Sequence, residues 1–115
     1  MFYTFVVEPA SIKARQGRSV TLHCRSRRVD WRLNNTYFVY KYQAGEITSH
    51  YQNRSVFEST SEDQGDLILT HVTPADEGVY TCFAANGGPS IKKYSLKGNL
   101  KYFFTFFPVI CSFPS

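Results

Sequence analysis

The chain has 115 residues, 43% hydrophobic, 17% aromatic and 19% charged, and its 13 Lys and Arg against 9 Asp and Glu give a formal charge of +4. That is one domain's worth of sequence, too aromatic for intrinsic disorder and short of the basic excess expected of a dedicated nucleic-acid binder. The longest uncharged stretch, residues 102–115, contains Pro108 and Pro114 and falls short of the roughly 20 apolar residues a membrane helix needs.

Along the chain the dominant period is two. Residues 5–9 form an expected strand stopped by its proline, followed by residues 11–14 and a turn at Gln16-Gly17. Residues 19–24 alternate so that Val20, Leu22 and Cys24 share one sheet face and His23 points to solvent. Residues 29–33 turn Val29, Trp31 and Leu33 inward. Residues 37–43 make a strand rich in Tyr, Phe and Val, ended by Ala44-Gly45-Glu46. Residues 47–52 and 55–57 are expected as short strands, the first of them an edge. Leu67 and Leu69 point inward from residues 66–70, and Val72 continues the apolar pattern. Residues 79–84 follow, Asn86-Gly87-Gly88-Pro89 is a turn, and residues 91–96 return as an edge strand on account of Lys92 and Lys93. No long segment has helical periodicity. About eight or nine short strands at turn spacings of roughly 8–12 residues predict an all-β antiparallel sandwich.

The cysteines bear on the compartment. Cys24, Cys82 and Cys111 lack the C-x-x-C spacing of a zinc site. A Cys24–Cys82 bridge would close a loop worth about 4 kcal/mol, against the alternative of two buried free thiols in a cytosolic protein. Asn34-Asn35-Thr36 and Asn53-Arg54-Ser55 fit the N-glycosylation acceptor pattern, which favours a secretory chain with Asn34 and Asn53 as acceptors. Cys111 is left unpaired.

The run Asp76-Glu77-Gly78-Val79-Tyr80-Thr81-Cys82 has the form D-x-G-x-Y-x-C. Gly78 permits a tight corner, and Tyr80, one alternation before Cys82, can turn its hydroxyl back onto the corner backbone. This resembles the immunoglobulin fold, and a V-set domain in particular. Leu67, Leu69 and Val72 stand where the family's L-x-L-x-x-V run stands, and Gly17, Val20, Leu22 and Cys24 match its G-x-x-V-x-L-x-C opening. The resemblance implies that Cys24 and Cys82 bridge the two sheets with Trp31 packed on the bridge. It also implies that Arg54 and Asp76 pair to close the bottom of the sandwich. Residues 1–97 form the expected immunoglobulin V-set-like domain; residues 98–115 are an irregular hydrophobic tail, expected to be a truncated or mispredicted end. No signal peptide is visible, so the chain is expected to be a fragment. The stretch of residues 38–46 is similar to the strand and turn of butyrophilin-like and costimulatory-ligand domains, including their fish members. Two features depart from the V-set pattern: a short loop between Cys24 and Trp31, and adjacent Gly87-Gly88 in place of G-x-G.

Little points to chemistry. His23, His50 and His71 are the available imidazoles, and no G-x-S-x-G, phosphate-loop or H-E-x-x-H pattern occurs. Glu58, Glu62, Asp63 and Asp66 lack the regular spacing of a calcium loop. The expectation is a non-enzyme with no cofactor and no metal. Tyr37, Phe38, Tyr40 and Tyr42 cluster on the strand that V-set domains use for partners, with the outward parity left open. The resemblance implies extracellular, cell-surface immune-type recognition of another protein, expected to be an immunoglobulin-superfamily member, with consequences for T-cell or other leukocyte responses. Arg25, Arg27, Arg28 and Arg32 around the first loop carry the alternative, a lectin-like site for sialic acid or heparan sulfate. A structural spacer is the third reading, and nucleic acid is not an expected partner.

Overall fold

The computed structural model describes residues 9–98. Alternation along the strands sorts their side chains: in β2 (Val20–Leu22) Val20 and Leu22 are buried and Thr21 between them is exposed. β2 pairs with β7 (Asp66–Leu69), which buries Leu67 and Leu69, and β7 pairs with β6 (Ser55–Glu58). These make a three-stranded antiparallel sheet. The second sheet has six strands in the order β1 (Ala10–Ala14), β9 (Ser90–Gly98), β8 (Gly78–Ala84), β3 (Val29–Leu33), β4 (Tyr37–Lys41) and β5 (Glu46–Ile47). The two sheets and their disulfide form an all-β immunoglobulin-like sandwich, with no α-helix among the described residues.

Three expectations are corrected. The sandwich is not wholly antiparallel, because β1 runs parallel to β9, from Ala10 opposite Tyr94 to Ala14 opposite Gly98. These strands lie at opposite ends of the described chain, so no hairpin forces them antiparallel. β9 is also not an edge, since it is paired on both sides, by β8 and β1. Its lysines are tolerated because long stems carry their charge past the sheet; the Lys92 ammonium lies 5.6 Å from the Tyr94 ring centroid. Residues 47–52 form no continuous strand. After β5 the Thr48 hydroxyl donates to the Phe38 carbonyl at 2.8 Å, and Ser49–Tyr51 winds into a single 3-10 turn that buries Tyr51. Residues 5–8 of the expected first strand, the tail beyond Gly98, Cys111 and the His50 side chain lie outside what is described, and Gly98 itself ends β9.

The core sits between the sheets. Trp31 is fully buried, its indole N–H donates to the Gly65 carbonyl at 3.2 Å, and its ring stacks on Tyr94 at 6.2 Å. Cys24 and Cys82 are bridged with Cα atoms 6.6 Å apart, and Cys82 lies directly opposite Trp31 in the β3–β8 register. At the corner before β8, Gly78 takes a φ of 150° and Tyr80 donates its hydroxyl to the Asp76 carbonyl at 2.7 Å. An added Cβ at Gly78 would meet the ends of the Leu33 and Asn34 side chains at 2.8 and 2.9 Å, which would have to move, and the positive φ favours glycine in any case. Leu69 is buried beside them in the core.

Buried phenols give the sandwich an alkaline limit. Burial pushes the hydroxyls of Tyr40, Tyr51, Tyr80 and Tyr94 above the ordinary value of 10.0, Tyr80 most of all. The folded state therefore holds these protons more tightly than the unfolded chain. Their contribution is complete below the unfolded pKa and is lost as pH rises above it. Far-ultraviolet circular dichroism should hold steady to about pH 10 and collapse above it. Phenolate absorbance from all the tyrosines developing while the circular dichroism stays native would contradict this.

Candidate interaction face

The outer side of the six-stranded sheet follows from register. Trp31, Tyr80, Cys82 and Tyr94 point inward, so the residues between them, Arg32, Thr81, Phe83 and Lys93, take the opposite parity. The β3–β4 ladder slips between Trp31, opposite Tyr40, and Arg32, opposite Phe38. The slip leaves Val39 as an extra residue, and both Val39 and Tyr40 are buried, at 0% and 6% exposure. Tyr40 stacks on Phe57 with centroids 3.8 Å apart and rings inclined by 5°. The structure thus removes Tyr40 from the candidate binding face and keeps Phe38 on it. Tyr37 is 65% exposed at the strand end and, with Phe38 and Tyr51, lines a cleft of about 420 Å³. Tyr42 is half-buried past the end of β4, and its backbone N–H donates to the Asp30 carboxylate at 2.8 Å.

Cations and rings meet on this outer surface. The Arg32 guanidinium lies 4.6 Å from the Phe38 centroid and 4.6 Å from that of Phe83; the Lys41 ammonium lies 4.4 Å from Phe38. Each such contact at a partly desolvated site contributes on the order of 0.5–2 kcal/mol. Arg32 Nε and Thr81 Oγ1, on residues opposite each other in register, are buried without a hydrogen-bond partner among the described residues. A hollow of about 200 Å³ is lined by Asp30, Arg32, Phe38, Lys41, Gln43 and Asn86, with Gly87. Phe83 and Lys41 were missed from sequence as contributors. The alternation from Tyr80 through Cys82 already placed Phe83 outward, whereas the β4 slip hid the role of Lys41.

The four arginines do not gather into one cluster. Arg25, Arg27 and Arg28 are exposed on the loop before β3, and Arg27 is held 3.2 Å from the Glu62 carboxylate. Arg32 lies further along, within the sheet, between its two rings. Arg54 and Asp76 are ion-paired at the corner, and the bond to Asp76 raises the Arg54 guanidinium pKa. His23 is exposed but not free, with Nδ1 3.2 Å from the Asp66 carboxylate, which also accepts from Gln64 at 2.8 Å. His71 is exposed at a φ of 51°. No group of three or more His, Cys, Asp or Glu among the described residues is arranged to hold a metal ion.

The two candidate acceptor asparagines lie in turns, Asn34 between β3 and β4 and Asn53 before β6. Asn34 and Asn35, with φ values of 52° and 61°, turn the β3–β4 hairpin, closed by the Thr36 N–H to the Leu33 carbonyl at 3.1 Å. The Asn34 side-chain oxygen accepts the Val79 N–H at 2.9 Å. Asn53 is exposed between the 3-10 turn and β6.

Comparison with known proteins bears on this arrangement. A family described as "Immunoglobulin domain" matches residues 4–86. The chain is similar to the second Ig domain of the mouse polymeric immunoglobulin receptor, at 20% identity and a TM-score of 0.64, covering 79% of this chain and 96% of that one. It is also similar to the Dpr1 IG1 structure bound to DIP-eta IG1, at 21% identity and a TM-score of 0.62, covering 84% and 94%. The ZIG-8–RIG-5 IG1–IG1 heterodimer matches at 16% identity and a TM-score of 0.62, covering 79% and 82%. These identities support the fold. No curated protein matches in sequence.

Proposed function

The chain belongs to the immunoglobulin domain family, and from that premise we propose that it is a V-set-like recognition domain of butyrophilin-like or costimulatory-ligand type. It works on the extracellular side of the plasma membrane or in secreted form, binding a cell-surface protein of the same superfamily and so regulating T-cell or other leukocyte responses. The observation that carries this reading is the outer face of β3, β4 and β8, where Phe38, Arg32 and Phe83 assemble one aromatic and cationic surface. Rings that hold an arginine between them offer contact area at little loss of side-chain entropy. The Cys24–Cys82 bridge and the acceptor sites at Asn34 and Asn53 support an oxidising, secretory location. The Ig-to-Ig complexes of Dpr1 with DIP-eta and of ZIG-8 with RIG-5 support a partner of the same fold. The family is typically non-enzymatic.

The acidic-glycan reading has less behind it. Arg27 is engaged by Glu62, and Arg32 lies within the sheet apart from the loop arginines, so the four do not form one anion cradle.

The test is binding of the domain, displayed as a multimer, to an array of purified immunoglobulin-superfamily ectodomains. Capture by at least one member is expected, and Phe38→Ala with Phe83→Ala should weaken it about tenfold or more. Full capture by the folded double variant would place the contact elsewhere. No capture across the array would sink the reading.

A further inference from the structure

Resting on that reading, we infer that the outer face of β3, β4 and β8 docks an acidic protein surface, presenting Asp or Glu side chains to Arg32 and Lys41, and that it does not dock a second copy of this chain.

The argument is one of charge and pairing. Arg32 forms no ion pair among the described residues, although its guanidinium is fixed between Phe38 and Phe83, and its Nε is buried without a partner. A guanidinium held by two rings is already oriented, so it offers a carboxylate paired donors at little further ordering cost. Lys41 adds a second cation over the same Phe38 ring, and Lys93, opposite Thr81, has the same outward parity. The carboxylate nearest in sequence, Asp30, is 8% exposed and its Oδ1 already accepts the Tyr42 N–H. Glu46, opposite Lys41 at the sheet edge, forms no ion pair among the described residues. The hollow's lining sets Arg32 and Lys41 against the single carboxylate of Asp30, leaving it net positive, with Phe38 beside them. Two copies meeting through this face would bring two sets of Arg32, Lys41 and Lys93 into one interface, and like charges brought together there oppose docking. An acidic face reverses that sign.

The experiment is a titration of the ¹⁵N-labelled, disulfide-bonded domain with an acetylated hexaglutamate peptide, followed by amide chemical shifts. Saturable shifts are expected at Arg32, Phe38, Lys41, Thr81 and Phe83, disappearing at about 0.5 M salt, where screening is complete within a few ångströms. Lys41→Glu, a change at an exposed position, should weaken the response about tenfold, and Arg32→Lys should weaken it while leaving the spectrum native. Shifts centred on Arg25–Arg28, an undiminished response in Lys41→Glu, or no response would overturn the proposal. So would 3′-sialyllactose moving the same amides more strongly than the peptide, which would assign the hollow to a glycan. Concentration-dependent broadening of these amides in the unliganded domain would assign it to a second copy and likewise overturn it. The ectodomain array separates the two levels of inference. Partners captured equally well by wild type and Lys41→Glu would leave protein recognition standing and remove the acidic partner. A clean peptide titration with an empty array would do the reverse.

Discussion

Asp76→Ala should lower the unfolding free energy by about 3 kcal/mol, because one buried carboxylate holds three separate groups at the corner. Its side chain is 3% exposed and pairs with Arg54 across the bottom of the sandwich. The same carboxylate accepts the Thr73 N–H at 2.8 Å and, more distantly, the Thr73 hydroxyl at 3.4 Å, completing a capping box over the 3-10 turn Pro74–Asp76. Alanine would strand the Arg54 guanidinium and the Thr73 N–H together. The side chain of Arg54 is 35% exposed, so water compensates part of its loss, and the figure is placed at the low end of the range for broken buried pairs. Asp76→Asn should recover roughly half of the loss, since an amide oxygen can still accept from Thr73 while the ion pair is gone. Urea unfolding of the three proteins at neutral pH measures both differences. A loss below about 1 kcal/mol for alanine would mean that the corner is held by the Tyr80 hydroxyl instead.

Removing the disulfide should have an effect of similar or larger size. Cys24 and Cys82 are separated by 58 residues, and a loop of that length restrains the unfolded chain by about 4 kcal/mol in the chain-entropy account. Folded domains of this size are stable by only about 5–15 kcal/mol, so Cys24→Ala with Cys82→Ala should leave a marginal protein, melting well below wild type. Trp31 and the fully buried Leu22, Leu67 and Leu96 keep their packing in that variant, so native-like secondary structure should persist at low temperature. Thermal melts of the oxidised wild type, the reduced wild type and the double variant form the comparison. Reduced wild type should melt with the double variant; agreement of the oxidised protein with both would contradict the estimate.

The strand pattern and the tyrosine corner were legible because each depends on local alternation or on a contiguous motif, and the cysteine pairing because the resemblance implies it. Val20, Leu22 and Cys24 on one side of β2, and Leu67 and Leu69 on one side of β7, need nothing beyond a period of two. The Asp76–Cys82 run carries its own geometry, since the Tyr80 hydroxyl reaches a carbonyl on the same short segment. What failed was long-range. Lys92 and Lys93 give β9 the polar pattern of an edge although it is paired on both sides, and its parallel pairing with β1 has no local signal at all. The segment after β5 alternates well enough for a strand, but Thr48 closes onto Phe38 and Tyr51 finds a place in the core.

The candidate face divides along the same line. Sequence by itself determined that aromatic side chains crowd one strand and that only one parity of it can face outward. It could not say which, because a single-residue slip between Trp31 and Arg32 shifts the phase of β4, buries Val39 and Tyr40 side by side and turns Phe38 out. That slip is a property of two strands in register and is invisible in either one alone. Nor does adjacency in sequence bring Arg32 to Phe83; only the pairing of β3 with β8 sets those side chains within 4.6 Å. Composition and alternation therefore determine a two-sheet sandwich with a buried core, since hydrophobic burial depends on pattern. The make-up of the outer face of β3, β4 and β8 was decided by tertiary structure, because contacts between distant side chains depend on register.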